Sequence, residues 1–139
     1  MLENENGTRD VIFAHIFSLL GTFSLSALLI FIAAAVLNTL KDPLGYIFPT
    51  AIGVLYLSCL VGGGISFAFS KKLRYALTAG GSTAILVFLL SGAFSEKAAL
   101  SPVIYILFLL AIPLSYFLGA ILISKAKSSN RSKRKRRHR

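Results

Sequence analysis

Charge is scarce in this chain, and tryptophan is absent. Of 139 residues only 14% are charged against 55% that are apolar, with four prolines, one cysteine and two histidines. Each shortage removes a class of function. One cysteine, Cys59, allows neither an intramolecular disulfide nor a multi-cysteine metal site. Two distant histidines, His15 and His138, do not make a zinc site with it. No Asp, Glu, Lys or Arg falls within 11–40, 43–70, 75–95 or 98–124. Ionisable groups inside a membrane mark proton relays, ion coupling and voltage sensing, because their burial is costly and is kept only for use. Their absence argues against a proton-coupled transporter or multidrug exporter. Serines are plentiful, but no intramembrane His–Asp pair stands ready to activate one. The chain is therefore not read as an enzyme, and no catalytic, cofactor or metal-binding residue is assigned.

What is present is apolar length. A soluble domain carries roughly 25% charged residues, and this chain has a mean hydropathy of +0.75. The four uncharged runs hold 30, 28, 21 and 27 residues, and about 20 helical residues cross a hydrocarbon core. The expected fold is an all-α membrane protein of four transmembrane helices, at about 14–38, 46–69, 75–95 and 100–123. A short N-terminal tail (1–10) precedes this domain (11–124), and a disordered basic tail (125–139) follows it. The first run is far longer than a signal-peptide core and is expected to be retained. An even number of crossings puts both termini on one side. Thirteen basic residues then share that side: Arg9, Lys71, Lys72, Arg74, Lys125, Lys127, Arg131, Lys133, Arg134, Lys135, Arg136, Arg137 and Arg139. The other side has Lys41 and Lys97, each beside an acid, Asp42 and Glu96. Cytoplasmic segments carry the excess of Lys and Arg, so both termini are expected in the cytoplasm of a plasma membrane.

Small residues recur at helical spacing. Ser58, Gly62, Ser66 and Ser70 repeat every four positions on the second span, with Gly63 and Gly64 beside them. Ala76, Gly80 and Ala84 do the same on the third, beside Gly81. Residues four apart share a helix face, and helices in lipid associate through close backbone approach at small residues. The expectation is a tight hairpin in which these two stripes meet. Pro49 and Pro102 fit first helical turns. Pro113 lies well inside the fourth run, where it predicts a kink that frees the Leu109 carbonyl for Ser115 or a neighbouring helix. Gly21-Thr22 and Gly81-Ser82 fall at comparable places in the two halves, and no repeat is assigned from them. His15 reads as an interfacial histidine, and the tyrosines Tyr56, Tyr105 and Tyr116 as packed rings with satisfied hydroxyls.

The tail from Lys125 has nine Lys or Arg in 15 residues and almost nothing to bury. With Lys71, Lys72 and Arg74 it is expected to contact anionic lipid headgroups. Nucleic acid is not the expected partner, and a homo-oligomer or another membrane protein remains open. The sequence Leu60-Val61-Gly62-Gly63-Gly64-Ile65, then Lys71-Lys72, then Ala79-Gly80-Gly81 resembles the YrzE-like family of small four-helix membrane proteins of Gram-positive bacteria. The resemblance covers about the first 120 residues and implies the same topology, a bacterial source and no particular chemistry. The expected role is structural or accessory to a partner. The alternatives are an oligomeric passive channel or small transporter, and a holin-like lesion former.

Overall fold

The structure, a computed structural model, describes residues 2–94 and 102–136, with side chains over 9–91 and 103–127. The described residues form four helices and no strand: α1 (Leu2–Leu37), α2 (Leu44–Ser70), α3 (Leu73–Phe94) and α4 (Pro102–Arg136). All four are long and apolar enough to cross a membrane, over Arg9–Leu37, Leu44–Ser70, Leu73–Ser91 and Val103–Lys127. The expected turn at Glu96 and Lys97, the expected start of the fourth span at 100 and the last cations, Arg137 and Arg139, lie outside the described residues.

Local chemistry sets the helix ends. Thr39 caps α1, its hydroxyl and its N–H both reaching the Val36 carbonyl at 2.7 and 3.0 Å. Pro43 opens α2 at φ −68° and ψ −30°, an angle its ring already holds. α2 therefore begins before the expected 46, and Pro49 stands inside the helix, beyond its first turn. Pro102 is the first residue of α4. Neither terminal tail departs from helix where expected: α1 starts at Leu2, and α4 continues through the basic segment to Arg136, where disorder was expected. Nucleation is the costly step in helix formation, and a chain leaving an existing helix has passed it. Lys and Arg also propagate well and are favoured at a helix C-terminus.

α2 and α4 run parallel at the centre of the bundle. Tyr56 packs on Phe108 with ring centroids 5.6 Å apart, and Gly64 faces Ile123, so the register advances together along both helices. Their crossing is reciprocal: Gly63 lies against the Tyr116 carbonyl and Gly119 against the Leu60 carbonyl. α1 packs antiparallel on α2, and α3 antiparallel on α4; α1 meets α3 only narrowly. Two consecutive hairpins are thus joined through their second helices.

Burial is inverted relative to a soluble protein. The fully buried residues are mostly small, among them Ala14, Ser18, Cys59, Ala76, Ala79 and Ala120, with Ile112 and Tyr116 the largest. Large apolar side chains point outward from every helix, Phe31 at 79% and Leu44 at 78% exposure. Water does not tolerate such continuous apolar surface, whereas lipid does, and in lipid close contact between small residues is what draws helices together.

Candidate functional site

The most distinctive chemistry is a hydroxyl cluster on the bundle axis. Tyr116 on α4 is fully buried, and its hydroxyl lies 2.6 Å from Thr22 Oγ1 on α1 and 2.9 Å from Thr83 Oγ1 on α3. Thr22 Oγ1 is 2.8 Å from the Ser18 carbonyl, and Thr83 Oγ1 is 3.0 Å from the Ala79 carbonyl. Ser18 donates across to the Gly62 carbonyl on α2 at 2.7 Å. All four helices are therefore linked at one level.

Each hydroxyl has one proton to give, and the cluster forms one complete donor chain: Thr83 donates to Tyr116, Tyr116 to Thr22, and Thr22 to the Ser18 carbonyl. The chain leaves each of its hydroxyls paired, which a low-dielectric interior demands.

Glycine makes room for the ring. A Cβ at Gly62 would overlap the Thr22 hydroxyl and come within 2.9 Å of the Tyr116 hydroxyl. At Gly80 it would stand 2.6 Å from Pro113 Cα and 2.9 Å from Tyr116 Cβ. Cys59, Ala79 and Ile112 complete the buried cluster around Tyr116, with Ala84 packed against it. The cluster holds only hydroxyls and one thiol. It offers no charged base, acid or cation for a reaction, and among the described residues no three His, Cys, Asp or Glu side chains gather as metal ligands.

The expected packing residues divide. Gly62, Gly63 and Gly64 on α2 and Gly80 on α3 all face α4 rather than one another, and Gly62 also meets α1. The seam expected between the second and third stripes is thus not the one formed. α4 supplies the filling side chain for both, and the α2–α3 interface is much slighter than that of α2 with α4. Ser58 is buried and turned onto its own helix, donating to Val54 at 2.9 Å. Ser66 is fully buried with no partner for its hydroxyl, and Ala76 is fully buried. Gly81 faces open space. Pro113 lies inside α4 with its backbone beside Gly80. Ser115 donates to Ala111 at 2.9 Å, not to Leu109, while Tyr56 donates to the neighbouring Phe108 carbonyl at 3.1 Å.

His15 is partly buried, and its ring bridges helices: Nδ1 is 2.9 Å from the Val11 carbonyl and Nε2 is 3.0 Å from Thr78 Oγ1 on α3. Of the cationic set, Lys71, Lys72, Arg74, Lys125 and Lys127 are exposed. Arg131, Lys133, Arg134, Lys135 and Arg136 lie on the continuing helix.

Sequence reasoning placed Tyr116 among packed rings with satisfied hydroxyls and did not single out Ser18, Thr22 or Thr83. The one available signal concerns Tyr116: glycines crowded at one depth announce a large side chain that must fill the gap. Family models, curated proteins and solved structures give no match to this chain.

Proposed function

We propose that this chain is a multi-pass protein of a bacterial cytoplasmic membrane, both termini inside, that acts as a structural or accessory partner and performs no chemistry of its own. One observation carries the reading. The bundle axis, where a monomeric pathway would run, is filled by Tyr116, and the Thr22 and Thr83 hydroxyls hold that ring from two sides. The lack of Asp, Glu, Lys and Arg within 11–40, 43–70, 75–95 and 98–124 supports it, as does the outward presentation of large apolar side chains to lipid or to another membrane protein. The lopsided distribution of basic residues supports the orientation, and the YrzE-like resemblance agrees with the topology.

Cys59 provides the test. It is fully buried against Tyr116, so a membrane-impermeant maleimide is expected to leave it unlabelled in intact membranes and to label it after denaturation. Ready labelling in the membrane would indicate a water-filled path and transfer the assignment to an oligomeric channel. Loss of membrane potential on expression would favour a holin-like lesion former. Crosslinking and co-purification from the native membrane should recover a defined stoichiometric partner. Recovery of the chain alone, together with solute flux in reconstituted vesicles, would overturn the accessory role.

A further inference from the structure

The connection between α2 and α3 is short and fixed. Lys71 closes α2 in the left-handed region at φ 57°, with its N–H on the Phe67 carbonyl at 2.8 Å, and α3 begins at Leu73. Lys71, Lys72 and Arg74 are thereby held close together despite their like charge. The last two both lie over one aromatic ring: Lys72 Nζ is 5.8 Å and Arg74 Cζ 5.0 Å from the Tyr75 ring centroid. Arg74 also donates to the Tyr75 hydroxyl at 3.4 Å.

Carboxylates to balance this charge are few. The chain has five acids: Asp42 precedes α2 at the opposite end of the helices, whereas Glu3, Glu5 and Asp10 lie in the first turns of α1, at the same end as these cations, and are fewer than the basic residues gathered there. Because α4 runs parallel to α2, it brings Lys125 and Lys127 to the same end. An apolar feature adjoins the cations. Phe13, Phe17 and Phe69 form a stacked ladder, with centroids 6.3 and 5.3 Å apart, and all three remain about half exposed. Phe69 stands two positions before Lys71. A soluble polyanion has no use for that ladder. A molecule with an anionic head and an apolar chain fits both parts.

We infer that this end of the bundle binds an anionic phospholipid. Lys72 and Arg74, steadied by Tyr75, take its phosphate, with Lys71, Lys125 and Lys127 supplying the surrounding positive field. An acyl chain lies along Phe13, Phe17 and Phe69. The assignment rests on the four-span reading, in which this end faces the anionic cytoplasmic leaflet. The cations beyond Lys127 lie progressively further along the helix, at ~1.5 Å per residue. They are secondary to this contact, because the leaflet's field decays within a Debye length of ~8 Å.

The full chain in detergent, exposed to equal amounts of phosphatidylglycerol and phosphatidylcholine and examined by native mass spectrometry, should retain the anionic lipid preferentially. K72Q/R74Q should reduce that preference by about fivefold per cation removed, and K72R/R74K should retain it. Y75L, which leaves every charge in place, should weaken it less than K72Q/R74Q does. F17A/F69A should release both lipids more readily. Removal of 129–139 should change little. An unchanged preference in K72Q/R74Q, or its loss on removing the tail alone, would overturn the site. Displacement of the lipid by inorganic phosphate would overturn the lipid assignment in favour of a simple phosphate site. Reporter fusions placing the C-terminus outside would defeat the topology while leaving lipid retention in detergent intact, so the two failures are separable.

Discussion

Gly63→Ala and Gly119→Ala should each sharply lower the unfolding temperature of the bundle in detergent, while Gly53→Ala and Gly81→Ala should leave it unchanged or slightly raised. A methyl group on Gly63 would overlap the Tyr116 carbonyl, and one on Gly119 the Leu60 carbonyl. Both obstacles are main chain, with no rotamer to move aside, so α2 and α4 must separate along their whole crossing. Overpacking a close-fitted interior costs ~1–3 kcal/mol and sometimes more, and we expect the upper end for each variant. Gly53 and Gly81 have nothing within 4 Å of such a methyl. There alanine brings only its better helix propensity, about 1 kcal/mol at most. Gly64 is intermediate, because its nearest neighbour is the Ile123 side chain at 3.0 Å, which can give way. The G63A/G119A double variant should lose less than the two single losses added together, since both act on one interface. Equal destabilisation by all four single substitutions would refute the geometry and leave only a general dependence on glycine.

Those same glycines show what the sequence could and could not reveal. Four helices and the small-residue stripes are legible, because the lengths of the uncharged runs and the four-residue spacing set them. Spacing tells which residues share a face, but not which helix that face meets. Adjacency in sequence pairs the stripe of α2 with the stripe of α3. The structure instead inserts α4 between their requirements, with Tyr116 meeting Gly62, Gly63 and Gly80. Pairing small with small leaves no side chain to fill the depth of the bundle. Pairing small with large fills it and removes the outlying hydroxyl from lipid.

The tail shows a different limit. Its composition has nothing to bury, which argued for disorder from 125, but composition ignores the helix from which the segment emerges. The helix extends to Arg136 because propagation needs only favourable local terms. The hydroxyl cluster was illegible for a third reason. Serine and threonine within a membrane helix commonly bond back to their own helix, as Ser58, Ser70 and Ser82 do here. Nothing in sequence separates those from Thr22 and Thr83, which do so and also reach Tyr116.

Tyr116→Ala should be among the most damaging single substitutions in the chain, while Tyr116→Phe should be mild. The phenylalanine variant removes one hydroxyl but strands no other, because Thr22 and Thr83 keep the Ser18 and Ala79 carbonyls. Interhelical hydrogen bonds in membranes average ~0.6 kcal/mol, so a loss of about 1 kcal/mol is expected. Alanine instead leaves a void lined by Gly62, Gly63 and Gly80, whose missing side chains cannot close it. Aromatic-to-alanine changes in a core cost ~3–5 kcal/mol. The threonines should behave non-additively. T22V or T83V alone leaves the Tyr116 hydroxyl one partner, but T22V/T83V leaves it buried with neither, at a cost of ~1–3 kcal/mol. A double-mutant cycle on unfolding in detergent should therefore show coupling, and strict additivity would mean that the three hydroxyls do not act as a unit. The ring also ties stability to the proposed role. Cys59 packs against it, so Y116A should expose the thiol to impermeant maleimide in intact membranes, and Y116F should not. Protection retained in Y116A would show that something other than this ring closes the axis.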